Sequence, residues 1–298
     1  MLRRVLLYLS EHGGFQRWVP PQLARRFIAG DTLEDALLAC ERVNHDGITA
    51  TLDYLGEHVR NLEEAAKCRD AYVRTLEAIL ERGVKSNVSL KLTQFGIELS
   101  DEKCAENVSA LLKIAAPAGN FVRIDMESSA YTDRTLRIVE TLHHQFGACG
   151  TVIQAYLRRS AADIERLCAA GIRVRLCKGA YLEPPTVAFE HKSEVDRNYL
   201  ELARVLLARG NYPAIATHDQ AIINALIAHC RRESIAPERF EFQMLYGIRR
   251  DLQRKLIADG YRLRLYIPYG EAWYPYFMRR LAERPANVLF LVRNLIRS

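Results

Sequence analysis

The residues of this 298-residue chain best placed to do chemistry gather on one stretch, Ile172 to Glu183, which reads Ile-Arg-Val-Arg-Leu-Cys-Lys-Gly-Ala-Tyr-Leu-Glu. Its first half alternates. Ile172, Val174 and Leu176 fall on one face of a strand, and Arg173, Arg175 and Cys177 fall on the other. Helical patterns lie on both sides, as in a parallel βαβ unit whose strands are covered on both faces. A charge on such a strand needs an anionic partner. The strand runs into Lys178-Gly179, so a cation and a permissive backbone stand at its C-terminal end, where α/β sheets and barrels bind ligands. Arg175 and Lys178 therefore point to an anionic or electron-rich ligand. The other reading is an ordinary strand with a salt-bridged arginine.

Polar residues recur at or near the ends of other β-prone runs: Lys91, Asp125, Gln154, Thr217-His218-Asp219, Gln243 with Leu245-Tyr246-Gly247, and Tyr266. Each also has a plainer reading. Lys91 and Asp125 suit a structural ion pair, His218 a hydrogen-bonded loop, Tyr266 a core. Near the C-terminus Arg279, Arg280 and Glu283 share one helical face beside Trp273, Tyr274, Tyr276 and Phe277. Two adjacent guanidinium groups suit a carboxylate, which they grip through paired hydrogen bonds. A solvated face with an exposed ion pair is the alternative.

Positioning these groups at one place demands a particular scaffold. The predicted strands are 48–52, 88–92, 121–125, 152–156, 172–177, 214–217, 240–244 and 263–267. Helical patterns follow at 62–82, 102–115, 132–146, 161–170, 195–209, 220–231, 248–259 and 271–283. Eight strand-then-helix units predict an α/β fold, a distorted (β/α)8 TIM-like barrel, whose closure brings the polar strand ends around one mouth. No GxGxxG opens any unit, which argues against a doubly wound sheet. Residues 1–45 read as N-terminal helices packing on a barrel formed by 46–298. Asp31 with Glu34 is the expected capping box of the last of them.

Net charge is +6, with no basic block of the kind that marks a nucleic-acid partner. The seven cysteines are scattered without ligand spacing, so reduced thiols and no metal are expected. No apolar run approaches a membrane span, and the short run at 5–9 is too brief for a signal-peptide core.

The motifs Ser89-Leu90-Lys91-Leu92, Arg123-Ile124-Asp125-Met126-Glu127, Gln154-Ala155-Tyr156-Leu157, Arg175-Leu176-Cys177-Lys178-Gly179-Ala180-Tyr181, Ala216-Thr217-His218, Phe242-Gln243-Met244-Leu245-Tyr246-Gly247 and Tyr266-Ile267-Pro268-Tyr269-Gly270, followed by Tyr276 through Glu283, stand in order. Over roughly residues 46 to 295 they make the chain closely resemble the bacterial monofunctional proline dehydrogenase family. The resemblance implies FAD across the C-terminal mouth. Arg175 would meet the flavin N5 edge and Gln154 its pyrimidine end. Lys178, Gly179, Ala180, Thr217 and His218 would follow the rest of the cofactor, with Lys192 a further anion contact. Lys91, Arg279 and Arg280 would hold the carboxylate of L-proline, with Asp125 fixing Lys91 and Glu283 pairing with the arginines. Tyr266, Tyr276, Tyr181 and Leu245 would wall the ring. Arg175, Lys91, Asp125 and Tyr266 form the implied catalytic set. The implied reaction is oxidation of L-proline to Δ1-pyrroline-5-carboxylate, with electrons passed to a membrane quinone. A separate pyrroline-5-carboxylate dehydrogenase is the implied downstream partner, because this chain is too short to hold that domain.

The physical chemistry agrees. A guanidinium near N5 stabilises charge arriving on the flavin, and a cation-rich pocket favours the neutral amine. Two departures concern the adenosine end. Leu182 stands where the longer bifunctional relatives carry tryptophan, and the segment from Glu183-Pro184-Pro185 to Lys192 lacks their threonines. The expected location is cytoplasmic, including a peripheral position at the inner face of the membrane. Two alternatives carry different predictions. A methylenetetrahydrofolate reductase-like flavin barrel would not need the Arg279/Arg280/Glu283 face. A non-enzymatic binder of acidic surfaces would be colourless and salt-sensitive.

Overall fold

The computed structural model describes residues 25–283 apart from Glu57, with side chains as far as Met278. The predicted helical run near the N-terminus, from Leu2 to Leu9, lies outside the described residues. In chain order the elements are α1 (Leu33–His45), β1 (Thr49–Tyr54), α2 (Leu62–Arg82), β2 (Ser86–Leu90), α3 (Asp101–Ala115), β3 (Val122–Ile124), α4 (Thr132–Phe146), β4 (Cys149–Gln154) and α5 (Ser160–Ala169). They continue with β5 (Arg173–Cys177), α6 (Lys192–Arg209), β6 (Ala214–Ala216), α7 (Gln220–Arg232), β7 (Glu241–Leu245), α8 (Arg250–Ala258), β8 (Leu263–Tyr269) and α9 (Trp273–Glu283). The eight strands are all parallel and close in sequence order, β8 pairing back onto β1 along Thr49–Tyr54. The predicted TIM-like barrel is the observed fold.

The helices α1 to α8 lay apolar stripes against the barrel core. In α4 the buried positions are Thr132, Thr135, Leu136, Ile138, Val139 and Leu142, a helical spacing. Helix boundaries follow local chemistry. Asn61 and Ser100 accept the first free amides of α2 and α3 on their side-chain oxygens. Gly83 and Gly147 end α2 and α4 in the left-handed conformation. The capping box of α1 sits one residue later than predicted. Thr32 is the cap and Asp35 the return partner, because the Thr32 hydroxyl and the Asp35 carboxylate satisfy each other's backbone amides.

The outer sheet face is apolar, but the lumen is filled by polar side chains. Hydrogen bonds join strands that are not neighbours, so they must cross the lumen. Arg264 on β8 reaches Asn87 on β2 at 3.0 Å, and Arg175 on β5 reaches Ser89 on β2 at 2.8 Å. At one level the Phe121 ring is surrounded by the guanidinium groups of Arg123, Arg173 and Arg264, 5.1, 4.8 and 5.7 Å from its centroid. Arg123 is fully buried and donates to the carbonyls of Thr151 and Arg173; burial pulls its pKa down to about 9. Glu241 accepts from Arg264 at 2.8 Å and from Gln243 at 2.6 Å. Beyond the barrel, Phe27 and Ile28 pack with Trp273, Tyr274 and Phe277 of α9 in a second apolar cluster.

Candidate active site

Asp125 is the hub of the C-terminal mouth. It follows β3 directly, its amide bonded to the Leu90 carbonyl of β2, so its carboxyl projects past the strand ends. One carboxylate oxygen accepts from the Ser89 hydroxyl at 2.6 Å and from the Arg175 guanidinium; the other accepts the Tyr266 hydroxyl at 2.8 Å. Burial pushes the Asp125 carboxyl up, but Arg175, Lys91 and the two hydroxyls outweigh it and hold it below the usual carboxylate range. Arg175 is buried, donates to Gln243 Oε1 at 3.3 Å, and lies over the Tyr266 ring at 5.1 Å. Gln243 is thus a dipole between two charges. Its amide N–H faces the Glu241 carboxylate and its oxygen faces the Arg175 guanidinium, the orientation electrostatics demands.

Lys91 stands beyond the end of β2, where the chain turns into the short 3₁₀ segment Leu92–Phe95. The predicted strand 88–92 therefore ends two residues early, and that break frees the lysine to lean across the mouth. Its Nζ is 3.3 Å from Asp53 and 4.0 Å from Asp125. Asp53 on β1 is only 1% exposed and also receives the Tyr72 hydroxyl at 3.4 Å. It was not among the predicted site residues, because β1 was expected to stop at residue 52. The Asp125 signal, a carboxylate at a barrel strand end, would have found it had the strand been extended to Tyr54. Glu127 likewise lies outside the predicted site. It is buried, accepts from the Thr93 amide and hydroxyl at 3.1 and 2.7 Å, and burial raises its pKa.

The predicted cofactor residues follow around the rim. Gln154 closes β4 and donates to the Glu127 carbonyl at 2.9 Å. Gly179 has φ +114°, and a Cβ there would lie 2.1 Å from the Tyr156 ring, so the backbone can pass only as glycine. Lys178 and Lys192 converge on two carboxylates, Asp219 at the predicted strand end and Asp196, which the sequence did not flag, with Lys178 3.0 Å from Asp219. Thr217 is buried and accepts the Asp219 amide; Asp219 in turn caps α7. His218 Nε2 accepts the Leu245 amide at 2.9 Å, which places the proton of a neutral ring on Nδ1. Ala180 lies on the exposed connection after β5.

Of the predicted ring-walling residues, Tyr266 stands at the hub, Leu245 ends β7, and Tyr276 is buried on α9. Tyr181 is 40% exposed on the β5–α6 connection. The backbone of α9 extends to Glu283, but the predicted clamp side chains of Arg279, Arg280 and Glu283 lie outside the described residues. Among the described residues no helix is long and apolar enough to cross a membrane.

The family model described as proline dehydrogenase matches residues 36–293. "Proline dehydrogenase 1" of Bacillus subtilis (strain 168) is 41% identical over 302 residues, covering all of both chains. "Proline dehydrogenase" of Deinococcus radiodurans is 42% identical over 281 residues, covering 93% of this chain and 91% of that protein. Among solved structures, proline utilization A (PutA) from Bdellovibrio bacteriovorus, inactivated by N-propargylglycine, superposes with a TM-score of 0.83 at 28% identity. That match covers 88% of this chain and 32% of the PutA chain, so the present chain spans about a third of the larger protein.

Proposed function

The chain belongs to the proline dehydrogenase family, and from that premise we propose an FAD-dependent enzyme that oxidises L-proline to Δ1-pyrroline-5-carboxylate and passes the electrons to a quinone. Oxidation of proline is the first step of proline catabolism. The observation that carries the reading is the convergence of Arg175, Tyr266 and, at longer range, Lys91 on Asp125 at the barrel mouth.

The residues present fit FAD. Gly179 lets the backbone run against the Tyr156 ring where any Cβ would clash, and Arg175 is a preorganised cation on β5 held at the mouth by Asp125. Gln154, Arg175, Lys178, Gly179, Ala180, Thr217, His218 and Lys192 would hold the cofactor, which supplies the hydride acceptor. Asp196 and Asp219 set the charge that the phosphates must meet at Lys178 and Lys192.

The chain's own groups then do the rest. Lys91 and Arg175 are balanced by Asp53 and Asp125, so the centre of the mouth is close to neutral before substrate arrives. A proline carboxylate therefore needs further cations, and Arg279 and Arg280, with Glu283 as their counter-charge, would be the residues to supply them. Asp53 and Asp125 hold Lys91 in place. Tyr266, Tyr276, Tyr181 and Leu245 wall the ring, restricting it to orientations that present the carbon beside nitrogen. Neighbouring cations favour loss of the amine proton before oxidation. The family match displaces the folate-reductase and non-enzymatic readings. A quinone acceptor places the enzyme at the inner face of the membrane as a peripheral protein, with a separate pyrroline-5-carboxylate dehydrogenase consuming the product.

An anaerobic absorbance titration of the purified full chain tests the proposal. The expected result is a yellow protein that bleaches with L-proline and not with D-proline or glycine. A colourless protein that takes up no added FAD removes the cofactor assignment, and a yellow one that proline does not bleach removes the substrate.

A further inference from the structure

We infer that Glu183 is a positioning residue for the substrate wall: its carboxylate docks the β5–α6 connection, which carries Tyr181, onto the β3–α4 connection. One oxygen accepts the Ser129 amide at 2.6 Å and the other accepts the Ser129 hydroxyl at 2.5 Å. The two residues are 54 apart in sequence, so the contact joins separate connections on the same rim. Ser129 opens the 3₁₀ turn Ser129–Tyr131 that leads into α4, and its amide is a donor the helix cannot satisfy internally. Both bonds go to an ionised acceptor, the stronger class.

The geometry around this contact sets it apart from the other tethers of the connection. On one side the connection is pinned where the Tyr156 amide meets the Lys178 carbonyl at 2.9 Å. On the other, Arg158 donates its amide to Val187 and its side chain to Pro185, lies over the Phe189 ring at 4.7 Å, and the Phe189 amide meets the Tyr156 carbonyl. Both anchors face the β4–α5 turn. Glu183 lies between them and pulls in another direction, toward β3. The turn it grips is itself braced, since Tyr131 donates to Glu98 and Glu98 is hydrogen-bonded to His58 Nδ1 at 2.9 Å. Beside Glu183, Tyr181 and Leu182 are 40% and 77% exposed. Connections with few buried contacts open easily, and a side chain on one is placed only as well as its backbone is held.

This inference rests on the reading of Tyr181 as a wall of the proline site. If docking makes the connection competent, undocking lowers the competent fraction and raises the apparent KM in proportion, while saturating substrate restores kcat. The test is steady-state oxidation of L-proline by the FAD-loaded full chain. Glu183→Ala is expected to raise KM about tenfold, the scale of one charge-assisted hydrogen bond, with kcat within about twofold. Glu183→Gln keeps an acceptor for the amide and offers a donor to the hydroxyl, and is expected to restore KM. In a Tyr181→Ala background, Glu183→Ala should add nothing further. Tyr181→Ala alone separates the two possible failures. If it leaves KM unchanged, the wall reading falls and the inference with it. If it raises KM but Glu183→Ala does not, or the two effects multiply, or Glu183→Gln behaves like Glu183→Ala, the docking role is overturned while the wall reading stands.

Discussion

Arg175 on β5 and Asp125 at the end of β3 clasp each other across the lumen of the barrel, both largely buried and 50 residues apart in sequence. Each is the main answer to the other's desolvation. Breaking such a pair from one side leaves a buried charge uncompensated, at a cost of about 3–5 kcal/mol. Asp125→Ala should therefore lower the urea midpoint strongly and abolish proline oxidation. Asp125→Asn, which keeps the shape and some hydrogen bonding, should lose less stability and nearly as much activity. Equal stabilities of wild type and Asp125→Ala would remove the hub role.

The same pair fixes a pH dependence. The folded-state pKa of Asp125 lies below its ordinary 3.8. Its contribution to stability is thus fully present above the unfolded value and is lost as pH falls through the folded one. The stability gap between wild type and Asp125→Asn should be flat above about pH 5 and close in more acid solution. Chemical denaturation at a series of pH values checks this; a gap that widens on acidification contradicts the sign.

Lys91 is held by Asp53, 3.3 Å away and buried. Lys91→Met should raise the KM for L-proline about ten- to a hundredfold, the range of a lost hydrogen bond to a charged group. Asp53→Asn touches the substrate only through Lys91, so its effect should be in the same direction and smaller. Steady-state kinetics on both variants decides; a larger defect in Asp53→Asn would mean that Asp53 meets substrate directly.

Gly179 has no room for a side chain and a backbone conformation that other residues rarely adopt. Gly179→Ala should cost about 1–3 kcal/mol in strain, displace Tyr156, and weaken FAD retention on gel filtration. A variant that melts with wild type and stays yellow would show that the connection relaxes freely there.

The expected boundaries reveal where local signals stop. Helix 62–82 and helix 132–146 coincide with α2 and α4: Asn61 caps the start of α2, and left-handed Gly83 and Gly147 mark the ends of both in the sequence itself. Strand ends carry no such marks. β1 runs on to Tyr54 and β2 stops at Leu90, and those shifts hid Asp53 and set Lys91 free of the sheet. Strand limits depend on pairing with neighbours far along the chain, which periodicity does not report.

By itself the sequence determined the eight strand–helix units, their closure into a barrel and the polar residues at its mouth, because alternation, helical spacing and caps are local properties of the chain. Tertiary structure alone decided who meets whom. Asp125 accepts Tyr266 from 141 residues away, Lys91 turns to Asp53, Lys178 and Lys192 face Asp196 and Asp219, and Glu183 finds Ser129. Those partnerships are set by closure, which brings distant strand ends within a few ångströms across a lumen too small to leave a charge unanswered.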